Sequence, residues 1–240
     1  MTLHRLALLL LCASPALGQI PETFTNLQVF PKDIPRGQLV EEMKGFTSAT
    51  GLRCEGCHVG GPALETINFA SDDKETKRTA RAMVTMVRAI NGDHIARLGR
   101  AKGVSVVCAT CHHGVSKPAL LDKLLLATVS EKGLDAAVAA YRDLRRVYYG
   151  RAAYDFGERT LNGAAQSLLA DGKAKEAIAL LELNLEFGAR EATTYNALSD
   201  ARLAAGDRPG AVSALRKAVE IEPKAEFLKK KLERLEKIGP

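Results

Sequence analysis

Two pentapeptides of this 240-residue chain carry residues with chemistry to offer: Cys54-Glu55-Gly56-Cys57-His58 and Cys108-Ala109-Thr110-Cys111-His112. Each sets two thiols two residues apart and follows the second at once with an imidazole. That spacing lets the thiols form thioethers with the two vinyl groups on one edge of a haem, and it leaves the histidine under the iron as a nitrogen ligand. Cys54, Cys57, Cys108 and Cys111 are therefore the expected attachment points of two covalently bound haem c groups, with His58 and His112 as proximal iron ligands. A zinc ribbon also pairs C-x-x-C units, but about 15 to 20 residues apart. Here Cys57 and Cys108 are 51 positions apart and each pair has its own histidine. Disulfides or thiol exchange explain paired cysteines in an exported protein; neither explains a histidine in the same place twice.

The elements around these motifs read as helices joined by turns. Pro21, Pro31 and Pro35 make residues 19–35 an extended lead-in, because proline lacks a donor and disfavours helix in the residue before it. A first helix is expected over Arg36 to Thr50, with Leu39, Val40, Met43 and Phe46 on one face and Gly51 as its stop. Val59-Gly60-Gly61-Pro62 follows His58 as a turn whose glycines allow backbone to approach a porphyrin. Ser71 reads as the N-cap of a second helix over Asp72 to Ile90, with Asp72 and Asp73 in its first turn and Asn91-Gly92 as its end. Its apolar stripe holds Met83, Met86, Val87 and Ile90, and a short helix or turn over His94 to Leu98 leads on to Cys108.

From Pro118 the composition shifts to Ala, Leu, Lys and Glu, and a repeat emerges. Leu161, Ala164, Gly172, Ala177 and Leu181 recur 34 residues later as Tyr195, Leu198, Gly206, Ala211 and Leu215, which with Pro223 is a tetratricopeptide-repeat pattern. Two repeats span about 158–191 and 192–225. Leu134 to Tyr149 resembles the second helix of an earlier, irregular repeat, and Ala225 to Ile238 a capping helix with Leu228, Leu232 and Leu235 inward. Tyr148, Tyr149, Tyr154 and Phe156 read as packing beneath an inter-repeat loop, and Lys229, Lys230, Lys231 and Arg234 as a wet helix face.

Composition agrees with helices: 46% of residues are apolar, 5% aromatic, and none is Trp. The expected fold class is all-α, divided into a signal peptide over 1–18, a dihaem cytochrome domain over 19–118, and a short repeat solenoid over 119–240. His4 and Arg5, the apolar run Leu6 to Leu11, and Ala16-Leu17-Gly18 before Gln19 form the leader, which implies an exported, periplasmic or extracellular product. Cys12 is preceded by Leu11, not by the small residue a lipid anchor needs, so a soluble product is expected. No later stretch reaches the 18 or so apolar residues of a membrane span, leaving at most peripheral membrane contact. The net charge of +6 reads as a solvated surface with some propionate pairing, without a nucleic-acid partner.

Taken in order, Val29-Phe30-Pro31, the helix with Met43, Cys54 to Val59, Phe69-Ala70-Ser71-Asp72-Asp73-Lys74, Ala80-Arg81, Met86-Val87-Arg88 and Cys108 to Gly114 resemble the cytochrome c subunit of photosynthetic reaction centres over about residues 26–118. The resemblance implies haem segments built as a ligand-bearing helix, a turn and the C-x-x-C-H motif. It makes Met43, eleven residues before Cys54, the sixth ligand of the first haem, and Met86 that of the second. The family has four haem motifs and this chain two; a haem resembling the second receives a histidine from the absent half. Met83, His94, an open iron and a ligand from another chain therefore remain alternatives to Met86. His113, next to the proximal ligand, is badly placed for the same iron.

Haems with strong sixth ligands are confined to one-electron transfer, and methionine raises their potential relative to histidine. The expected function is an exported dihaem electron carrier that is not an enzyme, has no catalytic residues and serves redox protein partners. Its repeats are expected to dock protein partners or assemble the chain, with a homo-oligomer possible. Its rivals are a dihaem peroxidase-type enzyme with one five-coordinate haem, and a subunit of a haem-bearing assembly.

Overall fold

In a computed structural model, residues 20–99, 103–188 and 190–237 are described. The expected leader with Cys12, and Ile238 of the expected last helix, lie outside them. The chain divides into two compact units, 1–116 and 117–240. The described secondary structure is helical, apart from a single antiparallel bridge between Val59 and Asn68.

In the first unit the extended lead-in is tied down by arginines. Arg36 donates to the carbonyl of Ile20, Arg81 to that of Asn26 and Arg88 to that of Val29. Helix α1 (Arg36–Thr50) ends at Gly51, whose φ of 71° is the left-handed conformation of a helix stop. A single helical turn, α2 (Cys54–Cys57), follows, and then α3 (Glu75–Ala89). The start of α3 corrects the sequence reading, because Ser71 does not cap it. The Ser71 hydroxyl accepts from the Asp73 N–H at 3.1 Å, Asp72 pairs with Lys77 and Arg81, and the chain stays extended through Lys74. The α-helix itself ends at Ala89, one residue short of the expected Ile90, but Asn91-Gly92 does not stop the helical path. It widens into a π turn over Ile90–His94 and a 3₁₀ turn over Ile95–Leu98, ending at Gly99. The last helix of the unit is the short α4 (Cys108–His112).

The second unit is built from α5 (Leu121–Lys132), α6 (Leu134–Tyr148), α7 (Glu158–Ala170), α8 (Ala174–Glu186), α9 (Ala192–Ala204), α10 (Arg208–Ile221) and α11 (Glu226–Lys237). The positions 34 apart do equivalent work: Leu161, Ala164, Ala177 and Leu181 are buried, as are Leu198, Ala211 and Leu215. Gly172 and Gly206 end the first helix of each repeat at φ of 73° and 81°. Leu228 and Leu235 are buried and Leu232 packs beside them, so α11 closes the second apolar cluster; Lys230 and Arg234 face outward, but Lys231, expected on the same wet face, is half-buried and paired with Asp200 and Asn196 of α9. Tyr154 and Phe156 pack on the main cluster, while Tyr149 is left 64% exposed. Over the described residues the fold is all-α, a small unit carrying the two C-x-x-C-H motifs followed by a short repeat solenoid.

Candidate functional site

The first C-x-x-C-H is one turn of helix entered from extended Arg53. Its geometry is closed by backbone bonds from Gly56 N–H to the Arg53 carbonyl and from His58 N–H to the Cys54 carbonyl, both 2.9 Å. Cys54 and Cys57 thereby emerge from the two ends of the same turn, both half-buried, with half-buried His58 just beyond in extended backbone. After His58 the chain doubles back through the Val59–Asn68 bridge. Gly60, at φ 135°, lies so close to the Thr66 carbonyl that a Cβ would collide with it. Here the glycine admits the chain's own backbone. Helix α3 braces the turn from the other side: Thr76 Oγ1 donates to the Gly56 carbonyl at 2.6 Å, and Lys74 Nζ to the Glu55 carbonyl.

The second motif begins where Asn91, inside the π turn, pairs with the backbone of Val106 in both directions at 2.8 Å. That pairing brings the chain back to start α4. Thr110 Oγ1 accepts the Val107 N–H at 3.0 Å, and His113 leaves the helix at φ 47°. Gly114 N–H then donates to the Ala49 carbonyl at 2.8 Å, and its own carbonyl sits where a Cβ on Gly51 would be. The end of α1, which delivers the chain to the first motif, is thus clamped to the exit of the second.

The two imidazoles differ. His112 is buried, and its Nδ1 lies 2.8 Å from the Val115 carbonyl. A carbonyl only accepts, so Nδ1 carries the proton and Nε2 keeps the lone pair a metal needs. His58 Nδ1 is buried without a partner, and the ring meets Phe69 edge-on at 5.0 Å between centroids. Burial lowers the His58 pKa, with Lys77, Arg81 and Lys74 acting the same way against the Phe69 carbonyl, so the ring is neutral and able to ligate. Burial raises the thiols of Cys57 and Cys108, the reverse of the activated thiolate that a redox C-x-x-C requires. The four motif cysteines are free thiols, and among the described residues no three His, Cys, Asp or Glu side chains gather into a metal cluster. The paired thiols are not assembled into one zinc site.

Around the second motif the unit leaves a cavity of about 740 Å³. Phe30, Phe46, Val84, Val87 and Val107 give it apolar walls, Cys108 opens onto it, and Glu42 and Arg88 stand on its rim. Few apolar side chains are buried in this unit: among its described residues only Leu39, Ala49 and Val115. Met43 is half-buried on α1 and Met83 half-buried on α3, whereas Met86 is 48% exposed. His94 and His113 are exposed. Of the expected site residues only Cys108 lines this cavity; Cys111, His112, Met43, Met83 and Met86 do not, and the fit to a haem c group rests on the thiol pair, the proton-fixed imidazole and the apolar walls next to Cys108. The roles of Asn91, Thr76 and Lys77 were missed by sequence reading; each acts through a contact with distant backbone that no local pattern marks.

C-x-x-C-H turns of this kind are the mark of the c-type cytochromes. The description "photosynthetic reaction centre cytochrome C subunit" matches residues 13–141, more than half of the chain, and the chain belongs to that family. It is 37% identical over 102 residues to the photosynthetic reaction center cytochrome c subunit of Thermochromatium tepidum, a match covering 40% of this chain and 22% of that one. Cytochrome c-554 of Chloroflexus aurantiacus is 36% identical over 98 residues, again 40% of this chain and 22% of the relative. The chain thus spans about a fifth of the length of these curated relatives. A solved structure, the Sgt2 TPR domain from Aspergillus fumigatus, is similar at 21% identity and a TM-score of 0.34, covering 48% of this chain and 74% of that one. The helix pairs and the 34-residue register, not that loose likeness, carry the repeat reading.

Proposed function

We propose that the chain is an exported dihaem c-type cytochrome that passes single electrons between redox protein partners, with its repeat unit as a docking or assembly module. The observation that carries this is the pair of C-x-x-C-H turns, each with its own histidine, set in a unit that buries few apolar side chains of its own. Cys54 and Cys57 hold one haem and Cys108 and Cys111 the other, with His58 and His112 ligating. Bound there, haem c supplies reversible one-electron chemistry at iron. The protein's share is to fix and shield. Val115 orients His112, Phe69 flanks His58, and the apolar walls beside Cys108 keep water from the second site.

Met43 and Met86 are the proposed sixth ligands. A thioether left 48% exposed is a poor core residue and a suitable one for a prosthetic group to cover, which favours Met86; Met83 and His94 are the other donors on that stretch. The exported setting rests on the leader-like first 18 residues. The test is a haem count by pyridine haemochrome on denatured mature protein, with optical and low-temperature spin-resonance spectra of both oxidation states. Two covalent low-spin haems with a Met-to-iron absorption support the carrier. A high-spin haem that reacts with peroxide moves the reading to an enzyme, and absence of covalent haem overturns both.

A further inference from the structure

Lys77 is buried, an unusual place for an ammonium. Its Nζ donates to the carbonyls of Phe69 at 2.8 Å, Ala70 at 3.2 Å and Ser71 at 2.7 Å, and lies 3.0 Å from Asp72 Oδ1. Three consecutive carbonyls therefore converge on one cation. The loop they belong to carries Phe69, whose ring stands against His58. Arg81 ties the same loop from a second point, with NH1 2.8 Å from Asp72 Oδ2 and NH2 on the Asn26 carbonyl.

The charges do not cancel. Four cations meet this loop, Lys77 and Arg81 at the Asp72 carboxylate, Arg78 at the Asp72 and Asp73 carbonyls and Lys74 at the Glu55 carbonyl, against the two carboxylates of Asp72 and Asp73. Reduction lowers the charge at an iron by one, so a fixed positive charge nearby favours the reduced form, most strongly where water is scarce.

We infer that Lys77 is a positioning residue of the first haem site: it pins the loop that holds Phe69 against His58, and its charge raises the one-electron potential there. This rests on the reading that His58 ligates a haem. Loop carbonyls alone need no cation, since water satisfies them at the surface. A buried ammonium that pins the residue whose ring stands against His58, with only half of its neighbourhood's positive charge balanced by Asp72 and Asp73, acts on what the imidazole binds.

The test is a spectroelectrochemical titration of the full mature protein with both haems, using small soluble mediators. Lys77→Gln lowers one of the two midpoints and leaves the other in place. Lys77→Arg keeps that midpoint near the parent value. Asp72→Asn, which frees positive charge, moves the same midpoint upward. Opposite signs for Lys77→Gln and Asp72→Asn separate a charge effect from damage to the loop, which displaces both the same way. Shifts of one sign, or midpoints unmoved, overturn the inference. Should Lys77→Gln fail to fold, Asp72→Asn still decides it: a raised midpoint supports, an unmoved one refutes. Haem counted in the parent protein keeps the two readings apart, because absence of covalent haem defeats the proposed function, whereas two haems with indifferent midpoints defeat this inference alone.

Discussion

Gly51 shows how narrowly single residues fix this site. Its φ of 71° costs a glycine little and any other residue more, and the Gly114 carbonyl fills the space a Cβ would need. Gly51→Ala is expected to destabilise the first unit by about 1–3 kcal/mol, adding left-handed strain to a backbone collision. Thermal unfolding followed at 222 nm checks this, and an unchanged midpoint would refute the close approach. Asp72 gives a pH prediction. Arg81, Asn26 and Lys77 hold its carboxyl well below the ordinary carboxylate range in the fold. A depressed folded pKa means the contribution is complete above the unfolded value of about 3.9 and drains away as pH falls toward the folded one. Acid unfolding of the parent should therefore steepen below about pH 4, and in Asp72→Asn that part of the slope should vanish. The cysteines and histidines were legible in sequence because their spacing is itself the chemistry. Lys77 was not, since its partners are carbonyls six to eight residues away that any sequence would supply.

Among the elements, α1 matched its sequence bounds, Arg36 to Thr50, because a proline before it and a left-handed glycine after it are local signals. The start of α3, and the path of the chain after its expected end, were misread for one reason: the residues that look like stops and starts make distant bonds. Ser71 and Asp72 serve the loop that faces His58. Asn91, which reads as a helix terminator, opens a π turn and holds Val106, as such turns do near functional sites. Asn91→Ala removes two hydrogen bonds from half-buried backbone and is expected to cost roughly 1–3 kcal/mol. The loss should fall on the second site, read as less haem retained on the Cys108–Cys111 peptide after digestion, with the Cys54–Cys57 peptide unaffected. Equal loss at both would sink the assignment of Asn91 to α4. In the repeats the elements were legible through period alone, and Leu181 is fully buried where the 34-residue register puts it. Leu181→Ala should cost the second unit about 2–5 kcal/mol, measured by denaturant unfolding.

At the scale of the whole molecule the two units differ in what fills them. Both apolar clusters of buried residues lie in the second unit, drawing on α5 to α11. In the first, Phe30, Phe46, Val84 and Val87 line a cavity, and among the described residues the buried side chains include a lysine and a histidine beside three small-to-medium apolar ones. Apolar burial is the main favourable term in folding, and a unit with so little of it needs another source of buried surface. The covalently held groups would supply it, since a flat apolar ring covers the faces that α1 and α3 leave open. Replacing Cys54, Cys57, Cys108 and Cys111 together with alanine removes the attachment while leaving both histidines. The expected result is a chain whose residues before about 117 exchange amide hydrogens rapidly and are cut by protease, while a fragment carrying the seven repeat-unit helices survives with slow exchange. If the first unit stays protected without its thioethers, then its helices hold themselves, and the open cavity beside Cys108 is not the mark of a missing core.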